Sequence, residues 1–171
     1  GSSSDSLINQ LIASPAPVHF FMISHGDIDP ATGKGRFYLN PGDGATPEFI
    51  LSDNLDGLLD KIQEIGNMSN WPLTVTAMSC YSGAHIPYLS ESTYGNRIVI
   101  SSTDITEQAY RDVRGLDGIR QGSLFGGDFV DKLRRGYDFN SAFREAGDHV
   151  AEYTRRDDSS LTESGQYADN A

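Results

Sequence analysis

Three short apolar runs do most to limit what this chain can fold into: Val18 to Ser24 (VHFFMIS), Leu73 to Ser79 (LTVTAMS) and Arg97 to Ser102 (RIVISS). Each is too short for a helix and rich in β-branched residues. Each is also near-continuously apolar rather than alternating, which is how a strand covered on both faces reads. Between the first two lies an amphipathic helix that starts at a cap on Ser52 or Asp53. It runs through Ile65 with Leu55, Leu58, Leu59, Ile62 and Ile65 as one stripe, and Gly66 closes it. After the third run come two more helices. One spans about Ser123 to Arg135, with Phe125, Phe129 and Leu133 recurring every four residues; the other is capped by Asn140 or Ser141 and turns Phe143, Ala146 and Val150 inward. Strands alternating with helices predict an α/β fold, a three-layer sandwich whose mostly parallel central sheet is flanked by helices.

At 171 residues the chain suits one such domain, placed at 17–154. Residues 1–16 form an N-terminal segment with a helix predicted over Asp5 to Ala13, where Leu7, Ile8, Leu11 and Ile12 share a face and Pro15 and Pro17 end the run. Gly26 to Pro47 is a loop rich in Gly, Pro and Asp, with room for one small hairpin around Arg36 to Asn40. Residues 155–171 read as a polar tail or linker. A net charge of -11 repels phosphate backbones and anionic lipid, so no nucleic-acid partner is expected. Nor is a membrane partner, because no stretch approaches the ~20 apolar residues that span a bilayer. The single cysteine, Cys80, permits neither an internal disulfide nor a cysteine-based zinc site. Asp27 and Asp29 open like a calcium loop, but Ala31 stands at the fifth ligand position and no glutamate closes the loop. His19, His85 and His149 lack the spacing of a zinc helix, and no glycine-rich phosphate loop occurs, so neither metal nor other cofactor is expected. Gly122-Ser123-Leu124-Phe125-Gly126 is not a serine-hydrolase elbow.

The polar residues that matter sit at strand ends. His25-Gly26 follows the first run and Ser79-Cys80-Tyr81-Ser82-Gly83 the second, and in open α/β sheets ligands bind outside those carboxyl ends. An isolated cysteine is most often a buried, inert thiol. This one is placed for acyl transfer: Cys80 attacks a carbonyl carbon, a cationic His25 favours the thiolate and protonates the leaving amine, and the amides of Gly26 and Cys80 hold the oxyanion.

The succession FFMISHG, VTAMSCYSG, RIVISSTDITEQAY and SLFGGDFVDKLRRGYDFNSAFREA resembles the legumain-type, C13-like branch of the caspase-fold cysteine peptidases, from about Val18 to Ala151. That resemblance implies a caspase-like sandwich, a His25/Cys80 dyad with Gly26 and Cys80 as oxyanion donors, no cofactor, and a protein or peptide substrate. It also implies departures. Legumain carries an acidic residue after the nucleophile where Tyr81 stands here, and a serine pair where Gln108 and Ala109 stand, so an asparagine pocket is not copied. Tyr81, Ser101, Ser102, Thr103 and Asp104 are the candidates for substrate binding, since the third strand's end neighbours Cys80. Asp104 either selects a basic P1 residue or caps the amides of Thr106 or Glu107. Caspase-like sheets open with a further strand and helix, so this chain is expected to be a piece of a longer protein that lacks the first strand, its open edge completed by a further chain or segment. The expected function is cysteine endopeptidase. Two alternatives are a caspase-fold binding or regulatory module, inactive as an isolated fragment, and a transamidase or peptide ligase using the same dyad. The compartment stays open, with a secreted or cell-envelope setting favoured.

Overall fold

A computed structural model describes residues 6, 9–10, 12–14, 16–40, 46–65, 68, 70–92, 94, 96–110, 123–157 and 166–169. Its strands are β1 (Val18–Ile23), β2 (Gly26–Ile28), β3 (Gly35–Asn40), β4 (Glu48–Leu51), β5 (Leu73–Met78), β6 (Arg97–Ser101) and β7 (Gln166–Asp169). Its helices are α1 (Ser52–Ile65), α2 (Ile86–Leu89), α3 (Leu124–Arg134) and α4 (Phe139–Asp157), with a 3₁₀ turn over Ser82–His85.

The three apolar runs form the sheet. β1, β5 and β6 pair in parallel, Val18 opposite Leu73 and Leu73 opposite Arg97, so the three strand tips end together at one edge. β5 lies in the middle with all six residues buried, which accounts for its unbroken apolar and hydroxyl sequence. Because side chains alternate across a strand, the two faces collect different cores. Leu73, Val75 and Val99 meet Leu55, Leu59 and Ile62 of α1, with Val18, Phe20 and Met22 packed beside them. Met78 and Ile100 meet Leu124, Phe125 and Phe129 of α3 and Ala142, Ala146 and Val150 of α4. Each buried Leu, Ile or Phe of these layers contributes ~1.5–3 kcal/mol of apolar transfer. The chain therefore forms the α/β sandwich that alternating strands and helices predict, a mostly parallel sheet between helical layers.

Four local differences from the sequence expectation have physical reasons. The glycine-rich stretch after His25 is more than a loop with one hairpin: β2, β3 and β4 form a three-stranded antiparallel sheet, held where Arg36 and Tyr38 of β3 reach Asp27 of β2. The α1 stripe is narrower than predicted, since Leu58 and Ile65 are exposed while Leu55, Leu59 and Ile62 are buried. Asp138, two residues ahead of the predicted cap, accepts the Ser141 amide at 2.9 Å and holds the start of α4. Beyond Arg155 the chain is not only a polar tail: α4 continues to Asp157, and Gln166–Asp169 returns as β7, antiparallel to β6. Four residues without a hydrophobic period leave no sequence signal, and the open edge of β6 supplies the pairing. Of the predicted N-terminal helix, residues 6, 9, 10, 12 and 13 are helical; Leu7, Ile8 and Leu11 lie outside the described residues, as do Gly66 and the loop from Val113 to Gly122.

Candidate active site

The parallel register delivers His25 and Cys80 to the same edge of the sheet, on neighbouring strands. His25 is exposed between β1 and β2, and Cys80 is half-buried directly after β5. The two tips touch through their backbones. A methyl group on Gly26 would sit 2.6 Å from the Cys80 carbonyl oxygen and 2.6 Å from Ser79 Oγ, so only glycine admits this approach. The Tyr38 amide donates to the His25 carbonyl at 3.0 Å. Successive residues of a strand direct their backbone groups to opposite edges, so the Gly26 amide faces away from β3. Among the described residues none accepts a hydrogen bond from the Cys80 amide. Two N–H donors beside a half-buried thiol are the parts an oxyanion site needs.

Tyr81 is half-buried and adopts a left-handed conformation, φ 56° and ψ 24°, the one described non-glycine residue with positive φ. Its amide donates to the Glu107 carbonyl at 2.8 Å, and its hydroxyl accepts from Gln108 Nε2 at 3.2 Å. A Cβ at Gly83 would fall within 2.9 Å of the Thr103 carbonyl and closer still to the backbone of Asp104 and Ile105, so the loop that carries Cys80 lies flat on the loop that follows β6.

Ser101, Ser102 and Thr103 do not line an open pocket as the sequence predicts. All three are fully buried. Ser101 Oγ donates to the Thr103 carbonyl at 2.9 Å, and Ser102 Oγ lies 3.5 Å from Ser82 Oγ. Thr103 bonds to Ser82 and to the Ser79 carbonyl. Small hydroxyls at a strand tip pack inward where they find partners, the backbone for Ser101 and Thr103 and the Ser82 hydroxyl for Ser102. Asp104 is half-buried, and its Oδ1 accepts from the Thr106 amide at 3.0 Å and the Thr106 hydroxyl at 3.3 Å, the capping role of the two foreseen for it.

Two features went unread in the sequence. Ser79 is 2% exposed and its hydroxyl has no partner among the described residues, an arrangement that only burial reveals. A cavity of about 440 Å³ opens on the α3 side, lined by Phe21, Ile23, Met78, Gly126, Val130 and Arg134. Ile23 and Met78 each stand two residues before His25 and Cys80, so the hollow borders the same sheet edge. Asp27, half of the calcium-like pair, is held by Arg36 and Tyr38, and Asp29 closes a turn with Thr32. His19 stacks on Phe139 and His149 faces Asp128 at 3.4 Å, both remote from Cys80 in the topology.

No protein-family model and no curated protein matches the chain. Among solved structures it is similar to protein GSU0716 from Geobacter sulfurreducens, with a TM-score of 0.51 and 12% identity over 96% of this chain and 71% of that one, a likeness of fold.

Proposed function

We propose that the chain is the catalytic domain of a cysteine endopeptidase of the caspase-like, legumain-type kind. The observation that carries the reading is the backbone contact of Gly26 on Cys80, which brings an exposed imidazole, a half-buried thiol and the amides of both residues to one sheet edge. The Cys80 thiolate attacks the scissile carbonyl carbon, and the carbonyl oxygen takes the negative charge against the amides of Gly26 and Cys80. As the C–N bond breaks, His25 gives its proton to the departing amine, leaving a thioester on Cys80. Water then adds to the thioester, the acid leaves and the thiol is restored. The substrate is an extended peptide, and no cofactor takes part.

The test is labelling of Cys80 by a peptidyl acyloxymethyl ketone. Stoichiometric modification that is lost in His25→Ala is the expected result. Labelling that ignores both the peptide sequence and the histidine would sink the reading and favour the binding module instead. That module draws support from β1, the margin of its sheet among the described residues, where Ile23 is 61% exposed. Product mass in the presence of an added amine separates hydrolysis from aminolysis by a transamidase.

A further inference from the structure

The hydroxyl of Thr103 holds the backbone on both sides of Cys80. It donates to the Ser79 carbonyl at 3.1 Å and accepts from the Ser82 amide at 2.9 Å, so one oxygen atom spans the turn that contains Cys80 and Tyr81. The donor count closes. With its single proton committed to Ser79, Thr103 Oγ1 receives the proton of Ser82 Oγ at 3.0 Å, and Ser82 Oγ in turn accepts the Thr103 amide at 3.2 Å. Both side chains are fully buried. Between the two anchored ends Tyr81 is left-handed, a conformation that is unfavourable for a non-glycine residue and persists only where its surroundings fix it.

We propose that Thr103 is the positioning residue of the nucleophile: its hydroxyl clasps Ser79 and Ser82, forces the left-handed turn at Tyr81, and thereby sets where the Cys80 sulfur and amide point. This rests on Cys80 being the nucleophile, and assigns Thr103 a role other than contact with substrate. Thr103→Val keeps the shape and removes the clasp, whereas Thr103→Ser keeps the hydroxyl.

The experiment measures inactivation by the peptidyl acyloxymethyl ketone in the full chain, with folding followed by circular dichroism. Thr103→Val is expected to lower the maximal inactivation rate on the order of 10- to 100-fold with little change in inhibitor affinity, since small misplacements of reacting atoms carry losses of that size. Thr103→Ser should restore it to within about threefold of wild type. A folded Thr103→Val protein that reacts at the wild-type rate overturns the proposal. Should Thr103→Val fail to fold, Thr103→Ala, which removes the same hydroxyl without the branched side chain, is the second variant: a slowing of threefold or more supports the clasp, and an unchanged rate refutes it. His25→Ala is run alongside. If it too reacts normally, the peptidase reading has failed; if it alone is impaired, only the clasp has.

Discussion

Arg97 is the residue on which most polar contacts converge. It opens β6 with no exposed surface, and all five of its guanidinium protons are used: Nη1 on Asp56 and the Leu89 carbonyl, Nη2 on Asp60 and Gln63, Nε on Gln63 again. Burial is the dominant influence on Asp56, holding its carboxyl above the ordinary value even though Arg97 donates to it. The cluster is thus held together by mutual need more than by net gain. Arg97→Ala would leave the carboxylates of Asp56 and Asp60 without their shared cation, and is expected to lower unfolding free energy by ~3–5 kcal/mol in chemical denaturation. Nothing in RIVISS announces this: a charged residue at a strand's start reads as a boundary, and its side-chain partners lie on α1, whose acidic residues look like a solvated face. His25 and Cys80 were legible for the opposite reason. Their placement follows from position after a strand, which local pattern reveals, whereas the contacts of Thr103 and the hydroxyl of Ser79, unpartnered among the described residues, are set by what lies across the sheet tip from them.

At the level of elements, α3 approaches the sheet through glycine. A Cβ on Gly126 would overlap Met78 Sδ and stand 2.8 Å from the capping Ser123 Oγ, so α3 lies closer to β5 than any larger residue permits. Ser123 accepts the Gly126 amide at 2.9 Å, fixing the helix start where the sequence places it. Gly126→Ala gains helix propensity and loses fit; the overpacking should prevail and cost ~1–3 kcal/mol. Combining it with Met78→Val should recover much of that loss, and a double-variant cycle showing strict additivity would refute the contact as the cause. The strands, α1, α3 and α4 were readable because period and capping residues are local properties. β7 was not, because a four-residue strand is stabilised by the edge it joins, and β2 to β4 were muted by the Gly, Pro and Asp content of their turns.

For the whole molecule, one buried group couples the two sheets to pH. His85, on the 3₁₀ turn that follows Cys80 and Tyr81, is 1% exposed, and its Nδ1 lies 3.0 Å from Ser52 Oγ, which donates to the Gly35 carbonyl of β3 at 3.1 Å. With the Ser52 proton spent on Gly35, His85 carries its own on Nδ1 and is neutral. Burial lowers its pKa from 6.5 to about 4. The unfolded chain therefore binds a proton that the fold refuses, and stability falls as pH drops from about 6.5 towards 4, by up to ~3 kcal/mol from this group. Denaturation midpoints at pH 7 and pH 4.5 measure it. The acid loss should shrink in His85→Gln, and an equal loss in both proteins would assign it to the carboxylates.

The outer side of β1 has a consequence for chemistry as well as for folding. Phe21 and Ile23 stand uncovered there, and the strand ends one residue short of His25 by way of Ser24. A polypeptide laid along that margin would finish beside the imidazole. Any chain segment paired with β1 would cover Phe21 and Ile23 and lie next to His25 as well, so the topology couples protection of this strand to access at its tip.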